Sequence, residues 1–192
     1  MERFFEQELE QLRKDILGMG VMAQEAIFNS IEALKNRDRK LAEKIISDDK
    51  AIDEMENAID EKCVDLIARH QPMARDLRFI ATGLKINADL ERIADLAVDI
   101  CERVLEIVDK PLLKPLVDTP KLSALAQRMV KDCIDAFIKG DVELAKKVIL
   151  ADQDADALRD LIQKELINDY MVKDGTTATR AVPLLLIARY LE

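Results

Sequence analysis

The 192-residue chain contains no Trp, and aromatic residues make up only 4% of it. Its core therefore cannot be organised around large rings and must be filled with aliphatic side chains. Five Gly and five Pro supply few turn points, which leaves the elements few and long. The single His, His70, has no Ser or Cys at a suitable spacing, so there is no nucleophile–base pair to argue from. It sits in a corner and is expected to cap a helix or face solvent. Three scattered cysteines, Cys63, Cys101 and Cys133, offer neither a CxxC motif nor zinc-site spacing. That excludes a disulfide framework and a structural zinc site, and leaves them as small core residues in a reducing compartment. No phosphate-binding Walker loop and no GxGxxG occurs, so nothing here points to catalysis. Apolar runs stay well short of the ~18 residues of a membrane span, and the N-terminal segment is too charged for a secretion signal. The expected location is cytoplasmic.

What the chain does have is helix-forming material. It is 49% hydrophobic and 35% charged, dominated by Ala, Leu, Ile, Glu, Asp and Lys. A net charge of −9 repels phosphate backbones and anionic lipid. Direct nucleic-acid binding is therefore not expected, and membrane contact is expected only through partners.

The chain also repeats itself. Residues 31–53 recur 103 positions later as residues 134–156, with nine of 23 positions identical, where composition alone would give on the order of one or two. The identities include Asp38/Asp141, Leu41/Leu144, Ala42/Ala145, Asp49/Asp152 and Asp53/Asp156. A unit used twice predicts a molecule of two similar halves.

Leu9, Leu12, Ile16, Met19, Ala23, Ala26, Ser30 and Ala33 follow the 3-4 spacing of a coiled-coil seam and predict a long first helix. A second carries Ile45, Ile52, Ile59 and Leu66, and stops at His70-Gln71-Pro72, because the residue before Pro is pushed out of the helical region. A third aligns Phe79, Ile86, Leu90, Ile93, Ala97, Ile100, Val104 and Ile107, ahead of a proline-rich linker over 109–120. Leu122, Ala126, Met129, Cys133 and Ala136 repeat the first seam, Gly140-Asp141 makes the corner, a fifth helix runs to about Val172, and a sixth starts near Arg180. Pro183 is tolerable in the first turn of that helix and would kink it further in. The predicted fold is all-α, two tandem three-helix bundles with six helices and an internal repeat. The first bundle is expected over 1–110 and the second over 117–192, its last helix incomplete.

The chemistry lies in rows of carboxylates. Glu91, Asp95 and Asp99 are spaced i, i+4, i+8, and each step of four turns about 40° around the axis, so all three share one side of helix three. Asp49, Asp53, Glu56 and Asp60 form a second row on helix two. Antiparallel pairing about Gln71 places Glu91 between Asp49 and Asp53, and pairing about Asp174 places Glu192 level with Asp156, near Asp152. Facing carboxylates suit a hard, multivalent cation such as iron, manganese, magnesium or calcium. The competing reading is a solvated acidic face neutralised by Arg92 and Arg103. The Asp76–Arg78 run reads as a local salt-bridge network.

The stretch Pro72-Met-Ala-Arg-Asp-Leu-Arg78, with Leu84-Lys-Ile-Asn-Ala-Asp-Leu-Glu-Arg-Ile-Ala-Asp-Leu-Ala-Val-Asp-Ile100, resembles the first repeat of the PhoU family of phosphate-uptake regulators. Leu184-Leu-Leu-Ile-Ala-Arg-Tyr-Leu-Glu192 resembles the opening of its second signature. The resemblance covers essentially the whole chain. It implies a dimer of paired three-helix bundles whose Glu/Asp-x3-Asp motif, here Glu91 and Asp95, can hold a divalent or trivalent metal (iron, manganese, magnesium or zinc). Asp99 stands where Asn is commoner and Leu96 where His often is. The chain ends before the second motif's later Asp, so the resemblance implies a truncated second motif and weaker binding there. By resemblance the protein is a negative regulator of the phosphate-starvation response. It would link the ATPase of the phosphate ABC transporter to a phosphate-sensing histidine kinase. The alternatives are a metal-buffering or metal-sensing helical protein and a purely structural bundle.

Overall fold

Two corners set the plan, and both are built by the same residues of the repeat. Asp38 and Asp141 cap the helices that follow them, their carboxylates accepting the N–H of Leu41 and Leu144 at 3.0 and 2.9 Å. Their own N–H groups reach back to Ala33 and Ala136, both at 2.9 Å. The residue before each is left-handed: Gly140 at φ 68°, where glycine is unstrained, and Arg37 at φ 54°. Arg37 is held there by its guanidinium, which donates twice to the Val108 carbonyl at 3.0 and 2.8 Å.

The computed structural model describes residues 2–192, with side chains from Phe4 onward. It contains the six expected helices: α1 Glu2–Asn36, α2 Arg39–His70, α3 Ala74–Ile107, α4 Asp118–Lys139, α5 Val142–Glu165 and α6 Ala178–Leu191. No strand occurs among the described residues. Short corners make successive helices antiparallel, and α1–α3 and α4–α6 each pack as an up-down-up set. No described helix is long and apolar enough to cross a membrane.

The expected seam of α1 is buried from Leu9 to Ala33 except at Ala26, which is half-buried, and beyond Ala23 the buried face widens to take in Ile27, Ile31 and Leu34. The halves also share one interior. Ile27, Ile31, Ile100 and Val104 pack with Leu122, Ile162, Ile187 and Leu191. Where α1 crosses α4, a Cβ on Gly20 would lie 2.1 Å from Ile134 Cδ1, so glycine permits the approach. The linker is stitched down by the buried Lys114, paired with Glu165, and by Arg180, which donates to the Pro111 carbonyl at 3.3 Å.

Several expectations change. The α-helical part of α5 stops at Glu165 and continues as a π-turn over Leu166–Met171, whose wider turn lets Leu166 and Met171, five residues apart, both face the core. Helix α6 starts at Ala178, so Pro183 lies past the first turn. Its missing N–H frees the Thr179 carbonyl, which accepts Lys110 Nζ at 3.3 Å instead. Cys63 and Cys101 are buried but Cys133 is exposed, because the neighbouring Ile134 takes the core position. His70 neither caps α2 nor faces solvent. It lies against Phe5 with ring centroids 5.0 Å apart, and its Nε2 is 2.6 Å from Glu8. The Asp76–Arg78 run makes no ion pair among the described residues, its neighbours being turned toward solvent.

Candidate carboxylate site

The first acidic site is positioned by the corner between α2 and α3. Gln71 is left-handed at φ 47°, and Met73 is extended, so α3 starts only at Ala74. The register is then fixed by Asn87, a fully buried residue of α3. Its Nδ2 donates to the Glu56 carbonyl and to Asp60 Oδ1, both at 2.9 Å. One turn further along α3, Glu91 faces Glu56 and Asp53, and Asp95 reaches Asp49 and Glu56. Glu91 therefore lies beside Asp53 and Glu56 rather than between Asp49 and Asp53, because the extended Met73 delays the start of α3.

Asp49, Asp53, Glu56, Asp60 and Glu91 are half-buried, and Asp95 is exposed at the rim. Burial raises the affinity of Asp49 for its proton, helped by the charges of Asp53 and Asp95. Glu56 is raised by burial and by Asp60, Asp53 and Asp95. Glu91 is raised by burial, then by Asp95, Glu56 and Asp53. Asp99 is not among the neighbours that perturb these groups. Neutralisation by arginine does not occur: Arg103 is taken by Glu102 and Glu106, and the exposed Arg92 makes no ion pair among the described residues. Asp49 also lines a groove of about 300 Å³ between α1, α2 and α3, which opens the row to solvent.

The donor set is all oxygen and carries negative charge that no ion pair compensates among the described residues, which suits a hard cation. Asn87 adds an orphan, since its buried Oδ1 has no partner while Nδ2 is committed twice. No group of three or more His, Cys, Asp or Glu side chains among the described residues is arranged to hold a metal ion. The row is a ladder of opposed carboxylates.

The second repeat is different. Asp156 and Glu192 are brought together as the register predicts, but Arg159 stands between them. Its Nη1 lies 2.8 Å from Asp156 and 2.5 Å from Glu192, and its Nη2 lies 2.9 Å from Asp160. Asp152 is exposed and apart from this network.

With this geometry in view, comparison with known proteins is decisive. The PhoU domain model matches the chain twice, over residues 16–104 and 119–192. The chain belongs to the PhoU family. The phosphate-specific transport system accessory protein PhoU homolog of Aquifex aeolicus is 39% identical over 185 residues, 96% of this chain and 83% of that protein. The PhoU accessory protein of Escherichia coli is 36% identical, over 98% of this chain and 78% of its own length. The crystal structure of PhoU from Pseudomonas aeruginosa superposes with a TM-score of 0.91 at 32% identity, covering 97% of this chain and 90% of that one.

Of the acids in the two expected rows, the structure sets Glu91 beside Asp53 and Glu56 and Asp95 beside Asp49 and Glu56, Asp99 perturbs none of them, and Asn87 is added. The spacing held a signal for Asn87, which lies four residues before Glu91. Arg159 carried a signal too. At the repeat offset of 103 it occupies the place of Glu56.

Proposed function

We propose that this protein is an accessory regulator of phosphate-specific transport that holds the phosphate-starvation response off when phosphate is plentiful. It does so as an adaptor between the transporter ATPase and a sensor histidine kinase, working as a homodimer. The observation that carries this reading is membership of the PhoU family over nearly the whole chain, in both repeats. The surface is consistent with it. Val142, Ile149, Leu150 and Leu161 are exposed on α5 and give it apolar side chains for helix-on-helix contact.

The carboxylates of the first repeat form the cation site of this regulator. Asp49, Asp53, Glu56, Glu91 and Asp95 would hold a metal, with Asn87 Oδ1 at the end of the row. The bound charge would relieve a repulsion that the protein leaves uncompensated. The regulatory reading is tested by deleting the gene and following a phosphate-regulon reporter at high phosphate. The reporter is expected to be switched on, and to be silenced again by the wild-type copy. Normal repression in the deletion strain, with any second copy of the family also deleted, would overturn the reading.

A further inference from the structure

The two halves share a fold and an acidic pattern, yet differ in what balances the charge. Asp49 and Asp53 of α2 recur as Asp152 and Asp156 of α5, but Glu56 is replaced by Arg159 and Asp60 by Gln163. The substitution is chemically complete. Two acids of the first row become one base and one neutral amide, and the guanidinium is partly buried with its side chain 21% exposed. Its terminal nitrogens are fully engaged with carboxylates from two helices, Asp156 and Asp160 on α5 and Glu192 beyond α6. A planar guanidinium that divides its donors among three carboxylates supplies the positive charge and the directed hydrogen bonds that a cation would otherwise supply.

We propose that Arg159 is a built-in cation: it closes the carboxylate set formed by Asp156, Asp160 and Glu192, so that these acids take up no multivalent metal while the guanidinium is in place. The residues of the second half do not fit a metal ion while Arg159 is in place, because an incoming cation has to displace a fixed positive charge from the same oxygens. The α5–α6 contact is thereby held shut without metal. The α2–α3 contact, whose facing acids have no counter-charge among the described residues, is the one a metal can tighten. This inference rests on the first repeat being a cation site, and the experiment separates the two claims.

The probe is Mn²⁺, followed by loss of the free-ion electron paramagnetic resonance signal and by the thermal shift it causes in the full chain. Wild-type protein is expected to take up Mn²⁺, and Glu91→Ala with Asp95→Ala to lose all of it. In that double-variant background, Arg159→Glu is expected to restore uptake, and adding Asp152→Ala with Asp156→Ala to remove it again. Arg159→Gln serves in the same way if the added acid prevents folding. Residual uptake in the Glu91→Ala/Asp95→Ala protein that depends on Asp152 and Asp156 would overturn the proposal. So would the absence of any gain in both folded Arg159 variants. If the wild type takes up no Mn²⁺ while Arg159→Glu gains it, the first-repeat cation site fails and the role of Arg159 stands.

Discussion

Asp38 and Asp141 are identical in the repeat because each does the same physical work, satisfying an N–H at the start of a helix that has no partner of its own. Asp38→Ala and Asp141→Ala are each expected to lower unfolding free energy by about 1 kcal/mol, read from urea denaturation. The acids of the candidate site act in the opposite sense. Asp49, Glu56 and Glu91 bind protons more tightly in the folded chain than at their ordinary values of 3.8 to 4.5. Their contribution to stability is fully present below those ordinary values and is lost as pH rises through the raised folded ones. Glu56→Gln with Glu91→Gln should therefore leave stability at pH 4 almost unchanged and increase it at pH 7. Equal effects of the pair at the two pH values would contradict the assigned repulsion.

At the scale of the element, what matters is how closely helices approach. Glycine inside a helix costs about 1 kcal/mol relative to alanine in intrinsic propensity, so α1 is weakened locally at Gly20. The gain is tertiary, since α4 can bring Ile134, only 4% exposed, against the bare backbone. Gly20→Ala gives α1 a better helix former and still is expected to destabilise the protein, by roughly 1–3 kcal/mol, because the side chain of Ile134 must be forced aside. A rise in melting temperature would show that the crossing has slack. The π-turn at Leu166–Met171 and the Lys110 contact to Thr179 follow the same logic: a local irregularity is kept because a packing or hydrogen-bonding partner compensates it.

Over the whole molecule, the repeat describes the chain's plan better than its cohesion. The interior joins Ile27, Ile31 and Ile100 of the first half to Leu122, Ile162 and Ile187 of the second, and α1 and α3 pack on α4 and α6 respectively. Apolar burial shared across the two halves couples their unfolding. Thermal unfolding is expected to be a single cooperative transition by calorimetry. Two separated transitions would mean that the shared interface contributes little.

The sequence by itself determined the number, order and direction of the helices, because period-3.6 apolar stripes and a short list of breakers leave little choice in a chain poor in Gly and Pro. It also determined which acids lie on one side of α2 and of α3, since that follows from helix geometry alone. The tertiary structure decided the rest. The extended residue Met73 before α3 set which rungs face each other, and so placed Glu91 against Glu56. Packing between halves chose Ile134 over Cys133 for the core and exposed the thiol. The fate of Arg159 was likewise beyond the sequence, because a guanidinium at a given position neutralises an acidic row only if the neighbouring helix brings its carboxylates within reach. Periodicity specifies faces, whereas distances between faces come only from the packing of one helix on another.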